Sequence, residues 1–202
     1  MGKLIVKTAA ITLACILALV LILFGVFSLF FPSVMVTVTD KLGMESACAS
    51  YSVSQYKKSG TIEDLSVAVK RSYAAGHYED SAVYGKILIS DDGFTAFCEA
   101  ADAQMSPAEE MIMGNTGYYY VGITVASQYY IGSDEAIDTA FGALGDRFKE
   151  NNPVVFLVNA AKEREDKEFC AQVLERLNTL NPRAEDEKYF EDYKNALEEY
   201  CR

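Results

Sequence analysis

His77 is the only histidine of the chain and the residue best suited to acid–base or metal chemistry. It lies in the stretch AAGHYEDSAV, just before the carboxylates of Glu79 and Asp80. A zinc site needs several His or Cys ligands at suitable spacing, and this stretch offers none besides His77. Because a glycine precedes His77 and acidic side chains favour the first turn of a helix, the sequence predicts an exposed turn residue, not a metal ligand or catalytic base.

The other residues capable of catalysis follow no catalytic motif. Cys98 or Cys170 would meet His77 only if the fold brought them together, and no spacing favours such a pair. The sequence contains no GxSxG elbow and no P-loop. Pairs of carboxylates, which a glycosidase requires, all occur at predicted helix ends, where they usually act as caps: Asp91–Asp92, Glu109–Glu110 and Asp134–Glu135. We therefore expect a protein that is not an enzyme and that uses no cofactor and no metal.

Four cysteines follow the N-terminal apolar segment, and their redox state stays open at this point: Cys48, Cys98, Cys170 and Cys201. Four thiols allow more than one disulfide pairing, and no CxxC motif occurs. Cys98 and Cys170 have apolar neighbours on predicted helices, which favours buried thiols. An oxidising compartment would instead favour disulfides.

The N-terminal part predicts a membrane span. Residues 8–31 form a run of 24 residues without a charge. As a helix this run is about 36 Å long, enough to cross a hydrocarbon core of about 30 Å. The apolar core of a signal peptide is shorter, and Phe30, Phe31 and Pro32 fit a cleavage site badly. A retained anchor is therefore favoured over a cleaved signal peptide.

The charges around this segment predict its orientation. Lys3 and Lys7 precede it, so residues 1–7 are expected in the cytoplasm and residues 32–202 outside, in a single-pass protein of the plasma membrane. Lys3 and Lys7 at one end and Phe30 and Phe31 at the other are the predicted anchor residues. The exported part carries 16 basic and 29 acidic residues, a formal charge of −13. Such a charge excludes nucleic acid as a partner and repels anionic lipid headgroups.

Helical patterns dominate the rest of the chain. In residues 32–60, the spacing of Val34, Val38 and Leu42 favours a helix leading away from the membrane. Thr61 followed by Asp64 then predicts a helix start.

The first helix after this start is expected to end at a left-handed turn on Gly76. The next helix is expected to direct Ala82, Ile87 and Leu88 inward, and it ends in the sequence SDDG.

This pair of helices resembles one tetratricopeptide hairpin. The residues at matching spacings are Leu65, Tyr73, Gly76, Tyr78, Ser81 and Leu88. Residues 132–144 and 153–182 repeat parts of the pattern, with Val154, Leu157 and Ala161 on one helix and Cys170, Leu174 and Leu177 on the next. The resemblance implies an all-α fold, in which residues 61–202 form a degenerate helical-repeat domain whose last helix, from residue 183 onward, caps the stack.

Tyrosines point to a binding surface. Tyr118–Tyr120 and Tyr129–Tyr130 lie on one predicted helix, which is expected to be buried at the centre of the domain. These rings either fill the core or line a groove between stacked hairpins. For the second case we expect Tyr84, Tyr119 and Tyr130 to contact a partner.

The sequence as a whole predicts a membrane-anchored scaffold or assembly factor of the cell envelope that binds another protein, including one in the same membrane. A homo-oligomer is one form that this association can take. The alternative is a glycan-binding protein or a carboxylate-dependent hydrolase subunit of the envelope.

Overall fold

A computed structural model describes residues 2–109, 114–144, 148–149 and 151–202, with the backbone alone at residues 2–6 and 9. The side chain of the predicted anchor Lys3 and the whole of Glu110 lie outside this description. Within it, the secondary structure is helical and contains no strand, which confirms the all-α prediction.

Most of the described residues lie in helices. In chain order they are α1 (Gly2–Phe30), α2 (Pro32–Lys41), α3 (Glu45–Ser59), α4 (Ile62–Ala74), α5 (Tyr78–Ile89), α6 (Phe94–Asp102), α7 (Thr116–Tyr130), α8 (Ala136–Leu144), α9 (Pro153–Glu163), α10 (Lys167–Leu177) and α11 (Glu187–Cys201).

Helix α1 is long and apolar enough to cross a bilayer. Its segment Ala10–Phe30 has a mean hydropathy of 3.0, and none of it is buried against the rest of the protein. It therefore does not serve as a core helix of the folded body. Lys7 is exposed at its start, and Phe30 and Phe31 are exposed at and just beyond its end.

Within the described residues, the body contains four helical hairpins, α2–α3, α4–α5, α7–α8 and α9–α10. Successive hairpins pack through α3 on α4, α5 on α7 and α8 on α9, and α11 covers α10. The extra helix α6 packs on α7. Each hairpin bends through a residue with left-handed backbone: Gly43 (φ 66°), Gly76 (φ 72°), Gly132 (φ 73°) and Glu165 (φ 55°).

Helix starts follow the predicted chemistry. The side chain of Thr61 accepts a hydrogen bond from the amide of Asp64, as the predicted cap requires. Asn115, Asn152 and Asp166 cap α7, α9 and α10 in the same way. These caps satisfy amides that have no partner inside the helix, so they fix where each helix begins.

Helix α7 is the centre of the core, as the sequence predicts. Every residue from Tyr120 to Tyr129 is buried, and the helix contacts α4, α5, α6, α8 and α9. A Cβ added to Gly85 would lie 2.2 Å from Oγ1 of Thr124. One added to Gly122 would lie 2.5 Å from the ring of Phe156. Glycine at these two positions therefore allows α5 and α9 to approach α7 closely.

The prediction that Ile87 faces inward is wrong, although Ala82 and Leu88 of the same helix are buried as predicted. Ile87 is 43% exposed, because α5 meets its neighbours through Ser81, Ala82, Gly85 and Leu88. The predicted helix after residue 31 is present as α2, and its buried residues are Pro32, Met35 and Thr39. Val34, Val38 and Leu42, whose spacing predicted this helix, are 43%, 40% and 67% exposed.

The C-terminal core agrees better with the sequence. Val154, Leu157, Ala161, Cys170 and Leu177 are fully buried. Leu174 is predicted in the core but is only partly buried. The neighbouring residue Val173 is fully buried in the core at this point. Helix α11 docks through Phe190 and Leu197, so it covers the last hairpin as a capping helix does.

Candidate functional site

Three planar side chains, one from each of three successive hairpin bends, form a stack that we call the bend stack: Tyr78, Tyr130 and Arg164. The rings of Tyr78 and Tyr130 are 4.1 Å apart between centroids and inclined by 27°. The guanidinium carbon of Arg164 lies 4.7 Å from the centroid of Tyr130. Because consecutive bends lie at one edge of the fold, side chains far apart in sequence stack in register. Aromatic stacking and the cation–π contact both stabilise this arrangement.

Hydrogen bonds hold the two tyrosines at the end of α7. The hydroxyl of Tyr129 donates to Oδ2 of Asp166 over 2.9 Å. The other carboxylate oxygen of Asp166 accepts from the amide of Phe169 and caps α10. The hydroxyl of Tyr130 donates to Glu163. Both phenols are thereby oriented by carboxylates from the next hairpin.

Beside the bend stack lies an open cleft of about 870 Å³. Its lining combines aromatic faces, two isoleucines, polar groups and one cation: Tyr129, Tyr130, Ile131, Gly132, Ser133, Asp134, Ile137, Arg164, Asp166, Phe169 and Gln172. Arg164 forms no ion pair with any residue that the structure describes, and its contacts are with rings. The cleft therefore presents a guanidinium whose hydrogen-bonding capacity a ligand can use.

Both tyrosines of the cleft are held in their protonated form. Burial and donation to Asp166 raise the pKa of Tyr129 to about 12. Burial and the carboxylate of Glu163 raise the pKa of Tyr130 above its usual range. Both phenols therefore remain hydrogen-bond donors to these carboxylates well above neutral pH.

Of the three predicted partner-binding residues, only Tyr130 lines the cleft. Tyr119 lies 11 residues earlier on α7, about 16 Å along the axis, against Phe156 with 6.2 Å between ring centroids. Tyr84 on α5 meets Tyr56 of α3 with 5.7 Å between centroids. Tyr84 and Tyr119 both pack against one apolar cluster that includes Tyr120 and Ile123, so the structure does not bring them together with Tyr130 in the cleft.

The side chain of His77 connects two hairpins. It precedes α5 at the bend, and its Nε2 lies 2.8 Å from the hydroxyl of Ser46 near the start of α3. The side chain is partly buried and not fully exposed as predicted, because the first hairpin packs beside this bend. The bond joins the bends of the first two hairpins. Across the described residues, no group of three or more His, Cys, Asp or Glu side chains has a metal-binding arrangement.

Three of the acidic residues predicted at helix ends have polar partners. Asp91 accepts from the amide of Gly93 over 2.8 Å. Glu109 accepts from the amide and hydroxyl of Ser106, and these bonds lower its pKa. Glu135 pairs with Lys86 over 2.7 Å.

The cysteines are free thiols in the structure, and three of the four beyond α1 are buried. Burial raises the pKa of Cys98 and of Cys170 to about 11. Both are therefore protonated at neutral pH, which disfavours reaction as thiolates.

No protein-family model, curated protein or solved structure matches this chain. A function for the cleft therefore follows only from its lining residues and their contacts. Arg164 and Asp166 are the lining residues that sequence reasoning missed. They stand in the charged stretch EREDKE, where the pattern indicates only a bend, and nothing in it distinguishes Arg164 from its neighbours.

Proposed function

We propose that this chain is a membrane-anchored, extracytoplasmic helical-repeat protein that binds another protein and acts as a scaffold or assembly factor at the cell envelope. The observation that carries the proposal is the cleft at the bend edge, with its two oriented tyrosines and a guanidinium that has no acidic partner among the described residues. Tyrosine and arginine are the residue types enriched at the energetic centres of protein interfaces.

The hairpin order supports a tetratricopeptide-like repeat. Helices α4, α7 and α9 are the first helices of successive hairpins, and α7 contacts both of the others. Second helices pack on the first helix of the following hairpin, as in α5 with α7 and α8 with α9. Stacked hairpins of this kind form extended binding surfaces, and each inter-hairpin edge can accept part of a partner.

The properties of α1 support the anchor. Its apolar segment of 21 residues is unburied, and no charged residue interrupts it. With Lys3 and Lys7 on the cytoplasmic side, residues 32–202 would lie outside. A partner in the same membrane would then be held close to the body, which raises its effective concentration.

Site-specific photo-cross-linking tests the proposal with a matched pair of positions. Ile131 is 44% exposed and lines the cleft, whereas Ile87 is 43% exposed on α5 and does not. A benzophenone amino acid is placed at each position in the full chain in its native membranes. We expect one discrete protein adduct from position 131, its loss when Arg164→Ala is added, and no such adduct from position 87.

Two results would contradict the scaffold proposal. One is the same adducts from both positions, which would indicate random collisions. The other is an absence of protein adducts from position 131 while the chain remains folded. Adducts containing only this chain would instead assign the cleft to self-association.

The alternative is glycan binding, with or without a hydrolytic partner subunit. Tyr130 lines the cleft together with Asp134, Asp166 and Gln172, and a sugar ring can contact groups of these kinds. Co-sedimentation of the full chain with insoluble envelope polysaccharide tests it, with Tyr130→Ala as the variant expected to lose binding. Equal sedimentation of the variant would exclude the cleft as a glycan site.

A further inference from the structure

The exposed apolar side of α2 continues directly from the end of α1. Phe31, Val34, Val38 and Leu42, which we call the α2 stripe, follow one another at helical spacing and are 50%, 43%, 40% and 67% exposed. The adjacent side of α2, with Pro32, Met35 and Thr39, is buried where the helix packs on α3. Exposing these four apolar side chains of the stripe to water costs free energy. An apolar surface of this kind is usually covered by a membrane or by another protein.

Two hydrogen bonds between α1 and α3 hold the first hairpin, and with it the α2 stripe, at the end of α1. The hydroxyls of Ser28 and Tyr51 form a 2.8 Å hydrogen bond between the last turns of α1 and the middle of α3. The ammonium of Lys58 donates to the carbonyl oxygen of Phe30 over 2.7 Å. The first hairpin is thereby attached to the end of the apolar helix through two points besides the chain itself.

The first hairpin differs in net charge from the rest of the body. Residues 32–60 contain three lysines and two carboxylates, whereas residues 61–202 contain 13 basic and 27 acidic residues. One of those two carboxylates, Asp40, is paired with Arg71 over 2.6 Å. Lys41, Lys57 and Lys58 are exposed. The repulsion from anionic headgroups expected of the exported part as a whole therefore applies to the later hairpins and not to this one.

We propose that the α2 stripe lies in the surface of the membrane that α1 crosses, with its apolar side chains among the upper parts of the acyl chains and the lysines at the headgroups. This inference depends on the proposed anchor. An interfacial helix of this kind buries its apolar face to a depth of about 5–10 Å. Anionic headgroups attract the basic residues beside it. The acidic hairpins then extend away from the bilayer, where a partner can reach the cleft.

Single tryptophans provide the test, because the chain contains none of its own. Three full-length variants are compared, with exposed positions chosen in α2, α1 and α5: Leu42→Trp, Leu21→Trp and Val83→Trp, at sites that are 67%, 70% and 56% exposed. Each is reconstituted in vesicles of phosphatidylcholine and phosphatidylglycerol that carry no bromine, bromine near the top of the acyl chains, or bromine near the ends of the acyl chains. We expect bromine near the top to quench Leu42→Trp strongly, because a ring about 5–10 Å deep lies beside it, and Val83→Trp to keep nearly all of its emission in every case. Position 21 is in the middle of the span, so bromine near the chain ends should quench Leu21→Trp.

The Leu21→Trp variant separates the two proposals. If bromine quenches position 21 and leaves position 42 unchanged, the anchor stands and the α2 stripe is not in the membrane. If position 21 is not quenched either, both proposals fall. Blue-shifted emission at position 42 without bromine quenching would assign the stripe to a second protein copy and would also overturn the inference.

Discussion

The contact between α5 and α7 at Gly85 makes the sharpest prediction on stability. Alanine at this position would place a Cβ 2.2 Å from Oγ1, 2.9 Å from Cγ2 and 3.0 Å from Cβ of Thr124. Thr124 is fully buried, and its hydroxyl donates to the carbonyl oxygen of Tyr120 over 2.7 Å. Because this β-branched side chain is buried and held by the hydrogen bond, we expect the two helices to separate.

The expected size of the effect follows from two opposing contributions. Overpacking of a buried site costs about 1–3 kcal/mol, and three close atoms favour the upper end. Replacing glycine by alanine within a helix contributes about 1 kcal/mol in the other direction. We therefore expect Gly85→Ala to lower the free energy of unfolding by about 2 kcal/mol.

Urea unfolding of the full chain in detergent micelles measures this, with the near-ultraviolet circular dichroism of the tyrosines as the signal. Gly142→Ala is the matched control, because a Cβ on Gly142 in α8 meets no atom within 4 Å. That variant should be stabilised by up to about 1 kcal/mol. In the double variant Gly85→Ala/Thr124→Ala, the clashing Oγ1 and Cγ2 are gone, so most of the lost stability should return.

The reasoning is refuted if Gly85→Ala is as stable as Gly142→Ala, since α5 and α7 would then not be in close contact. It is also refuted if the effects of Gly85→Ala and Thr124→Ala simply add, because atoms that clash must show coupling in a double-mutant cycle.

Three further predictions concern single residues. Gly76→Val should lower the thermal midpoint, because a branched side chain at positive φ costs about 1–3 kcal/mol of folding free energy. Gly76→Asn should lower the midpoint less. An unchanged midpoint for Gly76→Val would contradict the left-handed bend. Asn152 is fully buried, and its Oδ1 accepts from the amides of Val154 and Val155. Asn152→Ala should therefore cost about 1–2 kcal/mol in urea unfolding, and Asn152→Ser should recover part of this loss. Because the pKa of Tyr129 is about 12 in the folded protein and about 10 when unfolded, the unfolded chain releases its proton first. Stability should consequently fall as the pH rises from about 10 to about 12, and a Tyr129→Phe chain that shows the same decline would disprove this assignment.

Local signals predicted the helices and their ends. The cap at Thr61, the left-handed turn at Gly76 and the buried helix around Ile123 follow from residue types within a few positions of each other. Such local chemistry does not depend on what the helix later contacts. These features are therefore accessible from a single sequence.

Which side of each helix faces the core, and which residues line the cleft, depend on tertiary packing. The side of α5 that enters the core is decided by Gly85, whose missing side chain lets α7 approach, and this displaces Ile87 to the surface. The bend stack joins residues from three hairpins, and no pattern along the chain connects Tyr78 with Arg164. Only the alignment of the hairpin bends brings them into contact.

The central position of α7 has a consequence for biogenesis. Leu65, Val69 and Leu88 share one apolar cluster with Tyr120 and Ile123 of α7. If the part of the chain after α1 crosses the membrane in chain order, α4 and α5 reach the outside before the helix that covers them. Their apolar surface then stays uncovered until α7 has crossed, and exposed apolar surface favours aggregation. Premature stop codons upstream of residue 116 should accordingly yield fragments that are degraded, whereas loss of α11 alone leaves that cluster covered.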